Sequence, residues 1–514
     1  MSERAAIYLT TPIYYVNDVP HIGHAYTTLA VDMLARFHRL DGRPVKFLTG
    51  TDEHGQKVEK AAAQRGLAPL AFCDEVSQAF RDLCPAMNYS NDDFIRTTEA
   101  RHVRACQALW QRLVEKDQIY LGAYKGWYSV RDETYFAEDE LVDGKAPTGA
   151  PVEWVEEPSY FFRLSQWGDR LLQWYEDNPE CVAPRSRRNE VISFVKRGLQ
   201  DLSVSRTTFR WGIPVPGDPA HVMYVWVDAL TNYLSAVGYP DESTDAYQLF
   251  WPASLHMVGK DILRFHAIIW PAMLMAADLP PPQRVFAHGW WTNEGKKISK
   301  SLGNTIDPLK LIDTYGLDPV RYFLLREVPF GDDGDFSHAQ MVRRINADLA
   351  NDLGNLAQRS LSMIAKNCGG VVPTPGPFTA TDQALLDSAY GVLGTMREHL
   401  AQQSFHRALE AVWDVISAAN RYVDEQAPWS LRKTDPPRMA TVLYVLAEVV
   451  RCAAVLVQPV MPDSATKLLR QLGLDAPQQF DCLSAAAALV PATPLPAPQG
   501  VFPRWVEPAT PATS

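Results

Sequence analysis

His21-Ile22-Gly23-His24 decides how this chain is read, because of what stands on either side of it. Before it runs an apolar stretch, Ile7 to Tyr15, that predicts a buried parallel strand. After it comes an amphipathic run, Ala25 to Leu40, that predicts a helix. A strand that feeds a helix through two histidines and a glycine sets ring N–H donors and the first backbone amides of the helix where a phosphate would sit. Gly23 lacks a Cβ, so a nucleotide can lie against the backbone there. Well beyond the middle of the chain, Lys297-Ile298-Ser299-Lys300-Ser301 forms a second polar segment, with Gly295 as its hinge. Its two lysines suit a leaving pyrophosphate. Together the two segments describe a site for attack on the α-phosphate of ATP, stabilised by fixed positive charge and needing no covalent intermediate.

With 514 residues the chain has length for two to four domains, and 46% hydrophobic with 21% charged residues is ordinary for a soluble globular protein. A net charge of −11 argues against nucleic acid for the chain as a whole. RNA binding, however, depends on local basic faces, and Arg185, Arg187, Arg188, Lys196 and Arg197 form one candidate that a solvated helix face explains equally well. The 7 cysteines include no C-x-x-C pair, which fits free thiols in a reducing cytoplasm and supplies no zinc knuckle. Met1 to Arg4 leads straight into a strand without a signal peptide. The most apolar run, Met439 to Val460, carries Glu448 and Arg451 at its centre, so it reads as a buried bundle helix and no membrane association is expected. Asp332-Asp333-Gly334-Asp335 lacks the spacing of a calcium loop.

Strand 6–12, helix 22–40, strand 45–50, helices through 55–83, strand 92–97 and helix 99–116 alternate as in a parallel βαβ sheet. Such a sheet binds ligands at its strand C-termini, near the topological switch point. From 117 to 222 the sequence becomes aromatic-rich and β-prone, which reads as an insertion; the sheet resumes over 223–290. Asp307-Pro308 and Asp318-Pro319 each read as an N-cap followed by proline at the first helical position. After about 340 strands vanish. Leu385, Ala389, Val392, Met396 and Leu400, then Phe405, Leu409, Val412, Ile416, Ala419 and Val423, recur at helical spacing and predict a bundle. Gly369 to Pro377 is a linker, and the Pro/Ala-rich tail from Val490 is assigned no secondary structure.

Further stretches give these segments a family context: Thr10-Thr11-Pro12-Ile13-Tyr14-Tyr15-Val16-Asn17, Phe47 to Gly55, Tyr224 to Leu230, Gly259-Lys260-Asp261-Ile262 through Phe265-His266 to Trp270-Pro271, Asn355 to Arg359, and Ala427-Pro428-Trp429. With them the chain resembles the class I aminoacyl-tRNA synthetases, most closely the bacterial methionyl enzymes, over nearly its whole length. Ile298 departs from the family, which usually has methionine there; it is an apolar spacer, so little follows.

The resemblance implies a Rossmann-like parallel-sheet catalytic domain split by a connective insertion and followed by an α-helical anticodon-binding bundle. In residues, this is a first catalytic half 1–116, insertion 117–222, second half 223–290, a stem-contact region with the lysine loop 291–340, and an anticodon domain with C-terminal tail 341–514. Family insertions often carry a cysteine zinc knuckle; here no cysteine lies between Cys106 and Cys181, so no structural zinc is expected. The implied activity is methionine–tRNA ligation: L-methionine and ATP, as its Mg²⁺ complex, give methionyl-adenylate, and methionine then passes to the terminal ribose of tRNA(Met), initiator included. Asp52 is implied for the methionine ammonium, and Ile13, Tyr15, Trp226, Ala229, Leu230, Tyr233, Phe265, His266 and Trp270 for its side chain. Tyr15 and His266 are expected to donate hydrogen bonds toward sulfur. His21, Gly23, His24, Asp261, Trp291, Thr292, Lys297 and Lys300 are implied for ATP, with His21, His24, Lys297 and Lys300 catalytic. Asn355, Arg359 and Trp429 are implied for the anticodon, and Val501 to Arg504 for anchoring the tail. A cytoplasmic monomer is expected, since no appended dimerisation module follows. The rivals are a synthetase for another amino acid and a tRNA-binding relative with a dead site.

Overall fold

The structure is a computed structural model that describes residues 5–16, 19–298 and 303–507. The chain divides into two compact bodies, one of Ala5–Val31 with Val45–His288 and one built mainly of Asp32–Pro44 with Gly289–Ser514.

The first body is organised on an all-parallel sheet. Its strands are β1 (Ile7–Thr10), β2 (Tyr14–Tyr15), β3 (Val45–Asp52), β4 (Asp93–Arg96), β5 (Val182–Ala183), β6 (Leu255–Gly259) and β7 (Val285–His288). β1 sets Ile7 opposite Val45 of β3 on one side and Thr10 opposite His256 of β6 on the other. β2 continues beside β3, β4 lies beyond it, and β7 then β5 follow β6. The strand order therefore reverses at β1, and the crevice beyond its C-terminal end is where an open α/β sheet binds ligands. Helix α1 (Ile22–Leu40) carries the chain from β2 to β3, as a parallel connection requires. Within this body its residues Leu29, Ala30 and Val31 are fully buried. β3 and β4 approach so closely at Gly50 that a Cβ there would stand 2.0 Å from the Ile95 carbonyl oxygen.

Between β4 and β6 lies a four-stranded antiparallel sheet of Thr134–Phe136, Ile119–Ser129, Glu153–Phe162 and Leu202–Ser203, then a three-stranded one of Ser205–Arg206, Asp218–Met223 and Pro214–Val215. Arg206 is buried against the rings of Tyr135 and Tyr224, at 4.5 and 4.4 Å, which offsets the cost of burying its charge. The expectation that 117–222 is wholly insertion needs correction. β5 pairs in parallel with β7, so its segment belongs to the main sheet. Two residues ending at a proline carry no periodicity for a sequence reading to find.

The second body opens on a hairpin, Trp291–Asn293 with Lys296–Lys297, joined by Gly334–Phe336. Its turn, Glu294-Gly295, has both φ angles positive, at 49° and 73°, the geometry that favours glycine and suits a two-residue hairpin. Asp307 caps Pro308–Tyr315 as expected, accepting from the Leu309 amide at 2.9 Å. Asp318 does not cap its helix. Leu317–Arg326 begins after Gly316, whose φ is 87°, and buried Asp318 instead accepts from the Ser464 amide at 2.6 Å. Glycine with positive φ ended one helix and began the next one residue ahead of the aspartate. Both stripes of bundle residues, from Leu385 to Leu400 and from Phe405 to Val423, are buried as expected. The membrane-length helix Pro436–Val457 is 94% buried over its most apolar window. At its centre Arg451 holds Glu448, which also accepts from the Tyr390 hydroxyl and the Leu489 amide, so both carboxylate oxygens of the buried pair are hydrogen-bonded. In the tail Phe502 is buried, the Arg504 guanidinium donates to Asn351 at 3.1 Å, and the Trp505 amide donates to Asn346 at 2.8 Å.

Candidate active site

The histidine turn is held by its own backbone. The His21 amide donates to Nδ1 of His24 and the Gly23 amide to Nδ1 of His21, both at 3.1 Å. With both Nδ1 atoms accepting, each neutral ring carries its hydrogen on Nε2, directed away from the turn. The rings lie 3.9 Å apart, and burial with His21 as neighbour pushes His24 well below the ordinary histidine range. A Cβ on Gly23 would come within 2.9 Å of Cε1 of His21. Glycine is thus required first by the histidine that folds back over it. The Tyr14 hydroxyl donates to the His24 carbonyl at 3.2 Å, and Thr27, one turn along α1, bonds His288 at the end of β7 at 2.7 Å.

Asp52 ends β3 at 7% exposure, and its Oδ1 meets no hydrogen-bond donor among the described residues. Burial, then the charges of Asp228, Glu133 and Glu53, push its carboxyl well above the usual range, against the His54 amide that donates to it. Of these neighbours Glu53 is held by Arg96 at 2.7 and 2.9 Å, and Glu133 accepts from the Tyr15 hydroxyl at 2.8 Å. A buried carboxylate with an open oxygen, ringed by acidic groups, is a receptor for a cation.

Beside it the aromatic candidates come together. Trp226 stacks on Phe265 at 3.8 Å with planes 8° apart, and Tyr233 lies 5.7 Å from His266 and 6.1 Å from Trp270. Ile13, Tyr15, Trp226 and Phe265 are half-buried at the edge of the core, whereas Ala229, Leu230, Tyr233, His266 and Trp270 are buried. His266 does not fit the donor role toward sulfur. Its Nδ1 meets the Ile262 carbonyl at 3.0 Å and its Nε2 meets the Tyr233 hydroxyl at 2.7 Å, while burial lowers its pKa to about 4. The neutral ring gives its one N–H to Ile262. Tyr15 likewise spends its hydroxyl hydrogen on Glu133. Trp270 donates to Nε2 of His256 at 3.2 Å, and His256 bonds Thr10 at 2.7 Å. Asp261 is exposed beyond β6, where its Oδ1 would stand 2.5 Å from a Cβ on Gly259.

The remaining ATP and anticodon candidates belong to the second body. Trp291 is buried against Phe323, so its ring is committed to the core, and Thr292 donates to Asp335 at 2.5 Å. Lys297 is exposed on the hairpin, its carbonyl taken by Asn304 at 3.0 Å; Ser299, Lys300 and Ser301 fall outside the described residues, as does Asn17 in the first body. Asn355 is exposed on Asn355–Asn367, and Arg359 of the same helix sits 5.6 Å from the ring of Trp429, which is 47% exposed. Trp429 stands in the first turn of Pro428–Thr434. Of the basic cluster, Arg187 pairs with Glu190 and Arg188 donates to the Tyr175 carbonyl, leaving Arg185, Lys196 and Arg197 exposed.

Sequence reasoning passed over Glu133, His54, His102 and Asp228. His54 and Asp228 lie inside recognisable stretches, but nothing in a linear sequence pairs them, and Glu133 arrives from the insertion.

Residues 7–153 and 148–361 match the family described as tRNA synthetases class I (M), and 372–508 match the anticodon binding domain of methionyl tRNA ligase. The chain is 59% identical over 511 residues to the methionine–tRNA ligase of Mesorhizobium japonicum, covering 98% of this chain and 99% of that one. It is 55% identical over 513 residues to that of Mycobacterium bovis, at 98% and 99% coverage. A solved structure of Mycobacterium tuberculosis methionyl-tRNA synthetase in complex with methionyl-adenylate superimposes with a TM-score of 0.95 at 54% identity, covering 98% of this chain and 100% of that one. The apo form from the same organism gives 0.89 at 51% identity, with 99% and 100% coverage.

Proposed function

This chain belongs to the methionyl-tRNA ligase family of class I tRNA synthetases, and from that premise we propose how its residues activate methionine and charge tRNA(Met). The observation that carries the reading is Asp52, a buried carboxylate with one oxygen facing no donor among the described residues. The methionine ammonium occupies that position as a charge-assisted hydrogen-bond donor. The side chain lies along Ile13, Tyr15, Trp226, Ala229, Leu230, Tyr233, Phe265, His266 and Trp270, where polarisable sulfur meets aromatic edges.

His21, Gly23 and His24 receive the triphosphate, the two rings through Nε2–H, and Asp261 the ribose hydroxyls. Trp291 and Thr292 serve near adenine through their backbone, since the tryptophan ring is buried. A carboxylate oxygen of methionine attacks the α-phosphorus in line; the bond to the bridging oxygen breaks and pyrophosphate leaves as its Mg²⁺ complex. His21, His24, Lys297 and Lys300 stabilise the charge that builds on the transferring group. In the second step the 2′-hydroxyl of the terminal tRNA ribose takes the methionyl group from the adenylate and AMP leaves. Asn355, Arg359 and Trp429 read the unpaired anticodon bases by hydrogen bonding and stacking. The catalytic halves, insertion, stem-contact region and bundle follow the boundaries given above, with the segment around β5 assigned to the catalytic sheet. The enzyme works as a cytoplasmic monomer.

Methionine-dependent ATP–pyrophosphate exchange tests the site. Asp52→Asn keeps the shape and removes the charge, so the methionine KM should rise about a hundred-fold or more while the ATP KM holds. An unchanged methionine KM would remove Asp52 from the ammonium site.

A further inference from the structure

We infer that Tyr14 and His288 are positioning residues for methionine activation, holding the first turn of α1 through Thr28 and Thr27 so that His21 and His24 meet the transferring phosphate. This rests on the two histidines as the phosphate-binding pair. Thr27 and Thr28 lie one turn along α1, and each returns its hydroxyl to the carbonyl four residues back: Thr27 to Gly23 at 3.0 Å and Thr28 to His24 at 2.9 Å. Bonds of that kind are common inside helices and by themselves imply nothing. Here each hydroxyl is also gripped from outside the helix. The Tyr14 hydroxyl, on β2, stands 2.7 Å from Thr28 Oγ1 and 3.2 Å from the His24 carbonyl oxygen, so two hydroxyl hydrogens close a triangle of three oxygens. Nε2 of His288, at the end of β7, stands 2.7 Å from Thr27 Oγ1, and a neutral imidazole makes that bond as either donor or acceptor.

The carbonyls held in this way belong to the residues that aim the rings. The Gly23 amide donates to Nδ1 of His21 at 3.1 Å, and His24 takes the His21 amide on its own Nδ1, also at 3.1 Å. A shift of the Gly23 or His24 peptide therefore moves an imidazole. The next carbonyl, of Ala25, accepts the Tyr89 hydroxyl at 2.8 Å, so three consecutive carbonyls are tied, directly or through a threonine, to side chains outside α1. Tyr14, Thr27, Thr28 and His288 are all buried, and all belong to the first body. Packing alone does not explain the hydroxyls, since valine and phenylalanine would fill the same space without burying polar groups. The Tyr14 ring packs 5.7 Å from Phe80 and 4.7 Å from His24, contacts that need no hydroxyl. What the hydroxyls add is a fixed orientation of the helix end, as a reaction requires when its rate depends on placing donors against a phosphate.

Thr27→Val and Thr28→Val keep the side-chain shape and remove the hydroxyl. In the full-length enzyme each should lower kcat for methionine-dependent pyrophosphate exchange by about 10- to 100-fold, with the methionine KM within about two-fold. Thr27→Ser and Thr28→Ser restore the hydroxyl and should return kcat to within about three-fold of the unaltered enzyme. Tyr14→Phe should reproduce the Thr28→Val loss, and it carries the test alone if the valine variants do not fold. Because Thr28 acts through His24, adding Thr28→Val to His24→Ala should cost less than about two-fold more. Folded valine variants with unaltered kcat, a methionine KM that rises in step, serine variants as slow as the valine ones, or an equal fractional loss in the His24→Ala background overturn the inference. If instead His21→Ala and His24→Ala both leave exchange unchanged, it is the phosphate reading that has failed, and the inference falls with it.

Discussion

At Gly23 one hydrogen atom in place of a methyl group decides where a histidine ring can stand. A Cβ there would come within 2.9 Å of His21 Cε1, closer than carbon atoms tolerate, and the ring would have to swing off the Gly23 amide that orients it. Gly23→Ala should therefore lower kcat/KM for ATP by about 10- to 100-fold in pyrophosphate exchange, with methionine affinity and melting temperature nearly unchanged, because the added methyl displaces one half-buried ring and leaves the buried face of α1 in place. Wild-type kinetics for that variant would mean that His21 does not work from this position. The sequence made the glycine and histidines legible as a turn between strand and helix, but it gave the glycine to the nucleotide alone, whereas the His21 ring also occupies the space a Cβ would take. It also assigned His266 a donor's role, and only the coordinates reveal that Ile262 and Tyr233 occupy both of its ring nitrogens.

Among elements, the bundle shows how one buried carboxylate can tie three helices. Asp382, near the start of Ala380–Ala401, accepts from the Tyr422 hydroxyl on Phe405–Gln426 at 2.6 Å and from both terminal nitrogens of Arg438 on Pro436–Val457, at 2.5 and 2.8 Å. Burial would raise its pKa, but the arginine and tyrosine bring it down to about 2. A carboxyl depressed by folding contributes stability above its ordinary pKa and loses it as pH falls through the depressed value. Asp382→Asn should thus cost about 2 kcal/mol at pH 7 in urea unfolding, and the deficit should narrow as pH drops from about 4 toward 2. A deficit independent of pH would assign the loss to packing. Long helices with regular apolar spacing were legible from sequence, as was the cap at Asp307. β5 was not, because two residues bordered by proline carry no pattern, and Asp318 misled because its carboxylate serves a helix distant in the chain.

For the molecule as a whole, activation and tRNA reading should separate. Trp429 is exposed beside Arg359 in the second body, whereas the methionine candidates belong to the first, so Trp429→Ala should leave exchange intact and weaken tRNA charging by about 10- to 100-fold, the loss of one stacked base. Equal loss of both activities would withdraw the anticodon assignment. The order of the segments, sheet, insertion, sheet and bundle, was legible because each has its own periodicity, apolar runs in parallel strands and a spacing of three to four residues in the helices. The polar network behind Asp52 was not, since it joins His54, His102 and Asp228 from three separate elements. The most direct measurement is exchange of labelled pyrophosphate into ATP by the purified chain, driven in turn by methionine, leucine and isoleucine. Exchange with methionine, and its disappearance in Asp52→Asn at ordinary methionine concentrations, is the expected result; exchange driven by leucine or isoleucine, or undiminished in that variant, would contradict the account.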